Sequence, residues 1–269
     1  MGVNQICFIH ITNYTTNGIY DIIKAMEKCH LKLTIGHLYP KQLNLYGDMG
    51  NITTLKMRTE WRGIEFEYLE INPGETICDA DFYFIGGGQD KEQVAVSKEM
   101  FAQKDFLIKK RDEGAVFLGI CGGYQLFGHF YQPFEGEKLL GVSLLDAYTV
   151  AGKKRFIGNV TAHTNFLAPE TLVGFENHSG LTYLQGETKP LARLSVGNGN
   201  NGEDGFEGGR YKNVFGTYLH GSLLPKNPHF ADFLIRLALE NKYGENVELA
   251  PLDDSLEFAA HKSVLEKAY

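Results

Sequence analysis

The sequence calls for an α/β fold, a mostly parallel sheet flanked by helices, and three observations carry that reading. Short, unbroken apolar runs of the kind buried on both faces of a sheet alternate with stretches of helical period. One such run, "ADFYFIGGG", ends in three glycines. Another, "AVFLGI", runs directly into Cys121-Gly122-Gly123 and a new helical pattern. Strands alternating with helices build parallel sheets through right-handed crossovers, and ligands then sit at the carboxyl ends of the strands.

Taken in order, Ile6 to Ile11 reads as a short strand, and Ile19, Ile22, Ile23 and Met26 recur at helical spacing. This unit, residues 1–30, is an N-terminal extension whose role the residues do not state; residues 31–269 form the main domain. Leu31 to Leu38 is a strand, and Asn51 is a good N-cap for the helix that follows. "IEFEYLEI" alternates as a half-buried strand should. Asp90 to Asp112 reads as one helix between the two buried runs. After Gly136 the pattern changes to shorter strands and turns: "RFIGNVTAH", "LVGFENH" and "LARLSVGNGNNGEDG". "NVFGTYLHG" is one more buried strand, followed by helices over Ala231 to Asn241 and Leu256 to Ala268. Gly197 to Gly209, rich in Gly, Asn and Asp, is the expected mobile stretch.

Composition narrows the class. With 269 residues, 43% hydrophobic and 22% charged, the chain has interior enough for one large domain. A formal net charge of −7 and the lack of a basic block argue against nucleic-acid binding. No apolar run approaches the roughly 20 residues that span a bilayer, and "ICFIHI" lacks the flanks of a signal peptide. The cysteines Cys7, Cys29, Cys78 and Cys121 are far apart without a CxxC pair, so neither zinc nor a disulfide framework is expected. A cytoplasmic protein with reduced thiols is the expectation, with no metal and no cofactor.

The chemistry concentrates at two strand ends. Gly119-Ile120-Cys121-Gly122-Gly123 is a G-x-C-x-G form of the nucleophile elbow, where a strained turn lifts the nucleophile clear of the sheet. The helix beginning at Gly122 points its N-terminus at the sulfur and favours the thiolate. The Gly122 N–H is then placed to donate to an oxyanion. Among Gly86, Gly87 and Gly88, one amide, with Gly87 the candidate, would complete a two-donor oxyanion hole. Such donors are worth roughly 3–4 kcal/mol each in a transition state. A buried cysteine is usually a small hydrophobe and a glycine cluster usually a turn. Cys7, Cys29 and Cys78 take that plain reading; the elbow removes Cys121 from it. A thiol nucleophile needs a base. His220 closes a buried strand and should emerge at the same sheet edge, whereas His10, His30, His129, His163, His229 and His261 have no such position. His178, in "ENHSG", is the rival base, though its setting reads more as a loop lining the site or the interface.

These residues resemble a class I glutamine amidotransferase domain of flavodoxin-like fold, in its cobyric/cobyrinic-acid-synthase-like branch. Within that branch, "HLYPKQLNLYGDMGN", "FIGGGQDKEQ", "GICGGYQLFG", "VGFENHSG", "GNGNNGEDGFEGG" and "YKNVFGTYLHGSLLPKN" are similar, in order, to the glutaminase-subunit family of lipid II isoglutaminyl synthases. The resemblance runs from about Leu31 to the C-terminal region. It implies that Cys121 attacks the side-chain amide of L-glutamine, with His220 as base and acid and Gly87 and Gly122 as oxyanion donors. It also implies that Gln125 lines the glutamine pocket and that Arg155, in "KKRFIGN", binds glutamine. A guanidinium suits the α-carboxylate, which it can grip bidentately. Many class I domains place a glutamate two residues after the histidine; here the order is His220-Gly221-Ser222. That leaves a Cys–His dyad oriented from elsewhere, with Glu176 and a partner residue as the two candidates.

Ammonia needs an acceptor, and the chain has no G-x-x-x-x-G-K-[ST] loop for ATP. The resemblance implies a Mur-ligase-like, ATP-dependent subunit (MurT) as heterodimer partner, through which lipid II is reached at the inner face of the membrane without insertion of this chain. Three rival readings stand beside it: an amidase serving a cobyric-acid-type synthetase, a free-standing cysteine hydrolase of the same fold, and a catalytically silent binding subunit.

Overall fold

The computed structural model describes residues 31–44, 48–88, 90–244 and 246–267; the strand–helix unit expected in residues 1–30 lies outside them. β1 (Lys32–Leu38), α1 (Met49–Glu60), β2 (Glu65–Ile71), β3 (Phe82–Ile85), α2 (Asp90–Ala102), α3 (Lys104–Asp112), β4 (Val116–Ile120) and α4 (Gly122–Phe127) alternate as the periodicity requires. Then come β5 (Phe130–Gln132), β6 (Leu139–Leu140), β7 (Ala147–His163), β8 (Thr171–Leu184), β9 (Ala192–Val196) and β10 (Phe206–Glu207). β11 (Gly209–Tyr211), β12 (Val214–Thr217), α5 (Pro228–Tyr243) and α6 (Ser255–Lys267) complete the described chain.

The first sheet has the order β11-β12-β4-β3-β1-β2. Every neighbouring pair in it is parallel except β11 with β12. Its central strands read "FYFI" and "VFLGI", and every residue of both is buried. Tyr83 stacks on Phe117 at 4.8 Å between centroids, and Phe117 meets the edge of Phe127 at 6.0 Å, tying two strands to α4. Each such fully buried side chain contributes about 1.5–3 kcal/mol through the water it sheds. Because β3 and β4 are central and parallel, their carboxyl ends, the glycine cluster and Cys121, come out side by side.

Four features depart from the pattern read in the sequence. α1 begins at Met49 rather than near Asn51. Asn51 is buried, and its Oδ1 accepts from the Leu224 N–H at 2.9 Å, so its amide serves a distant segment instead of a cap. The helix expected over Asp90 to Asp112 breaks at Gln103. There the Gln103 side chain accepts from Ile77 N at 2.6 Å and donates to Glu75 O at 3.2 Å.

β5 and the segments from β6 to β10 form a second sheet, β10-β9-β7-β5-β6 with β8 on β7, in which β7 has 17 residues and β8 has 14, while β11 and β12 return to the first. A register shift between Ala151 and Phe156 breaks the alternation of β7, which makes it read as shorter pieces. The stretch Gly197 to Gly209 is a closely bonded loop. Asn200 accepts from Tyr124 Oη at 3.1 Å and donates to Gly208 O at 2.9 Å, while Asn201 donates to Thr182 O at 3.1 Å.

Candidate active site

Cys121 leaves β4 and enters α4 with φ +50° and ψ −103°, a conformation that L side chains rarely adopt. Such backbone costs about 1–3 kcal/mol and persists only where its surroundings impose it. Here Cys121 N donates to Thr217 O at 2.8 Å, Gln125 N to Cys121 O at 3.0 Å, and Gly123 N to Gly86 O at 3.1 Å. Gly123 cannot carry a side chain: a Cβ there would stand 2.6 Å from Ile85 O and 3.0 Å from Gly86 O. The β3 and β4 termini are thus pressed together, and that proximity sets the thiol against the glycine cluster.

His220 lies three residues past the end of β12, in a backbone bridge to β8. Its N–H donates to Phe175 O at 2.8 Å, and Phe175 N donates back to His220 O at 3.2 Å. The approach to it is pinned by the buried Glu207, whose Oε1 accepts from Thr217 Oγ1 at 2.6 Å and Tyr218 N at 2.7 Å. Burial, and then the Arg155 charge, pull the His220 imidazole down to about 4, so it is neutral at physiological pH and able to accept a proton.

Gly87 lies between thiol and imidazole. A Cβ on it would be 3.1 Å from His220 Cε1, 3.4 Å from Cys121 Cβ and 3.5 Å from Asp48 Oδ2. The structure therefore brings Cys121, His220 and Gly87 together, with Gly122 following the thiol. The Gly87 N–H, the expected oxyanion donor, here donates to Asp48 Oδ2 at 2.6 Å. Asp48 is fully buried, and burial raises its carboxyl to about 7 against the opposing hydrogen bond from Gly87.

Gln125 is buried on α4, and its Nε2 donates to Tyr218 Oη at 3.2 Å. Tyr218 also pairs with Thr182 Oγ1 at 2.6 Å and stacks on His178 at 3.6 Å between centroids. Arg155 is exposed at the β7 irregularity, where its Nε donates to Asn177 Oδ1 at 2.7 Å. Its charge is felt by both His178 and His220.

His178 belongs to β8 rather than to a loop. Its Nδ1 lies 2.9 Å from Gly180 O, which assigns the proton to that nitrogen, and burial lowers the ring to about 3. Glu176 is occupied elsewhere: its oxygens accept from Asn198 N, Asn198 Nδ2 and Gly199 N at 2.5–3.0 Å. Cys78 is exposed and away from these groups, and Cys7 and Cys29 lie outside the described residues. Among the described residues no group of three His, Cys, Asp or Glu side chains is placed to hold a metal ion.

The residue that sequence reasoning missed is Asp48. It sits in "NLYGDMGN", and only its place between a glycine and a helix start could have drawn attention to it. The Tyr218–Thr182 pair and Glu207 were equally invisible, because each takes its meaning from a segment that only the fold brings against it.

A thiol on a strained strand-to-helix bend, facing a neutral buried imidazole and a glycine cluster on a parallel α/β sheet, is an arrangement that can serve cysteine-nucleophile chemistry. Residues 34–228 match the CobB/CobQ-like glutamine amidotransferase domain. Over 239 residues, 88% of this chain and 96% of the relative, the sequence is 41% identical to the lipid II isoglutaminyl synthase (glutamine-hydrolyzing) subunit GatD of Staphylococcus aureus (strain N315). The corresponding subunit of Streptococcus pneumoniae (strain ATCC BAA-255 / R6) is 39% identical over 84% of this chain and 87% of its own. A cobyric acid synthase of Caldanaerobacter subterraneus subsp. tengcongensis is more distant, 26% identical over 91% of this chain but 48% of its own length. In fold, the chain is similar to a structure of PurLQS from Thermotoga maritima, with TM-score 0.54 and 14% identity over 80% of this chain and 98% of that one. The chain belongs to the CobB/CobQ-like glutamine amidotransferases, within the family of GatD glutamine-hydrolysing subunits.

Proposed function

We propose that this chain hydrolyses L-glutamine and passes the ammonia to an ATP-dependent, Mur-ligase-like partner of the MurT kind, which amidates the D-glutamate of lipid II to D-isoglutamine in peptidoglycan synthesis. The observation that carries the chemistry is the meeting of Cys121, His220 and Gly87 at the carboxyl edge of the parallel sheet. The likeness to GatD over nearly the whole of that subunit supports the acceptor. The more distant likeness to a cobyric acid synthase favours the cobyric-acid-type alternative less.

In this reading, His220 takes the Cys121 proton and Sγ attacks the amide carbon, moving the carbonyl electrons onto oxygen. The Gly122 and Gly87 N–H groups hold that oxyanion. Collapse breaks the C–N bond, and His220 returns its proton to the departing nitrogen, which leaves as ammonia. Water, deprotonated by His220, then adds to the γ-glutamyl thioester; the C–S bond breaks, the thiol regains its proton and glutamate departs. Arg155 grips the α-carboxylate and Gln125 walls the pocket. With Glu176 bonded to Asn198 and Gly199, a carboxylate of the partner is the better candidate to orient His220. Residues 31–269 form the amidotransferase domain and residues 1–30 an extension to it. No helix among the described residues is long and apolar enough to cross a membrane. In this reading lipid II is reached through the partner, at the inner face of the membrane.

Co-expression with the ligase-like chain, size-exclusion chromatography and an amidation assay on lipid II with glutamine and ATP test the reading. A heterodimer is expected that amidates. Cys121→Ala abolishes glutamine-driven amidation while added ammonium sustains it, His220→Ala is nearly as severe, and His178→Ala is milder. Ammonia release at the wild-type rate from Cys121→Ala, or separate peaks without amidation from the mixture, would overturn it.

A further inference from the structure

Asp48 stands at the N-terminal end of α1 but makes no side-chain cap to that helix. Its Oδ2 is instead turned to the glycine cluster, 2.6 Å from Gly87 N and 2.7 Å from where a Cβ on Gly86 would stand. A backbone N–H is a single donor, so one committed to a charge-assisted bond of this length is not available to a substrate oxygen. A carboxylate beside the point where an oxyanion develops also opposes that charge directly. The same first turn of α1 bears on the base. Gly50 packs against the turn after His220 so closely that a Cβ would collide with Ser222 Oγ, and Asn51 holds Leu224 N at 2.9 Å.

We propose that Asp48 is a latch on the oxyanion hole: its side chain holds the Gly87 N–H away from the substrate in this conformation, and turnover requires that bond to be released. Asp48 is thus a positioning residue that acts through Gly87, and a displacement of the first turn of α1, or neutralisation of its carboxyl group, opens the hole. The inference rests on the glutaminase reading given above.

The test is glutamine hydrolysis by wild type, Asp48→Ala and Asp48→Asn, each alone and in complex with the ligase-like subunit. Removing the acceptor should raise kcat roughly tenfold with KM within about threefold, since only transition-state stabilisation changes. Asn, a neutral acceptor, should fall between Ala and wild type. A γ-aldehyde analogue of glutamine, whose hemithioacetal places an oxygen in the hole, should bind more tightly in the same order. Alkylation of Cys121 by iodoacetamide builds no oxyanion and should change by less than about threefold. A kcat at or below wild type in both variants, with unchanged melting, overturns the latch while leaving the glutaminase reading intact. Should Ala not fold, Asn decides by the same criterion. If wild type hydrolyses no glutamine alone or in the complex, the glutaminase reading fails and the latch with it.

Discussion

At the scale of single residues, environment rather than identity separates candidate functional side chains from their look-alikes. His178 and His220 are both buried, both neutral and both within reach of the Arg155 charge. Yet Gly180 O fixes the His178 proton on Nδ1, and its ring is stacked on Tyr218, whereas the ring of His220 lies against Gly87 beside the thiol. The exposed Arg155 guanidinium is held by Asn177, its Nε donating to Asn177 Oδ1 at 2.7 Å. If it holds the glutamine α-carboxylate, Arg155→Ala forfeits about 2 kcal/mol, or ~30-fold in affinity. Steady-state kinetics should show this mainly as a raised KM, with Cys121 still open to small electrophiles. Unchanged glutamine kinetics would return Arg155 to the role of a surface residue.

At the scale of elements, α1 carries more of the site than its sequence suggests. Its first turn holds Gly87 and supports the turn after His220, and its other end is anchored by charge. Arg58 is almost fully buried and donates to both oxygens of Asp232 at 2.7 Å and to both of Asp254 at 2.6 and 2.8 Å, tying α1 to α5 and to the segment before α6. Arg62 adds a second cation on Asp232 at 2.6 Å. Breaking such a group by removing one partner leaves uncompensated charge in a desolvated place, at a cost of about 3–5 kcal/mol. Urea denaturation of Arg58→Ala should show a loss of that size. A loss under about 1 kcal/mol would mean that water reaches the carboxylates and the anchor is weak.

At the scale of the whole molecule, buried titratable groups set the pH range in which the protein is most stable. Burial lowers His37, His220 and His229 to about 4 and His178 to about 3. Between roughly pH 4 and 6.5 the unfolded chain therefore binds protons that these folded histidines do not, and stability rises with pH. Burial raises Asp48 and Glu207 to about 7, so over the same window the folded carboxyls keep protons that the unfolded ones release, and stability falls with pH. Four histidines against two carboxyls leave a net slope of about 3 kcal/mol per pH unit, rising towards neutrality, and His261, also lowered by burial, acts in the same direction. Urea midpoints measured from pH 4.5 to 8 should climb to about pH 6.5 and then level off. A flat profile below pH 6 would mean that the histidines are solvated in the folded protein.

The sequence by itself determined the parallel half of the fold, because its strands are buried on both faces and read as unbroken apolar runs. It also determined the elbow, because a thiol between a strand and a helix with glycines on either side is a local arrangement complete within Gly119 to Gly123. His220 was legible from its place after a buried strand, while the roles assigned to Arg155 and Gln125 came from resemblance, not from any local pattern. Tertiary structure alone decided the rest. The second sheet was obscured because an irregularity in β7 breaks the period of two. The loop from Gly197 to Gly209 looked mobile because its bonds go to Glu176, Tyr124 and Thr182, none of them near it in sequence. Asp48 acquired its meaning only when Gly87, 39 residues further along the chain, was folded against it. The physical reason is common to all three: periodicity reports which face of an element is buried, whereas a hydrogen bond between distant segments exists only after those elements have packed.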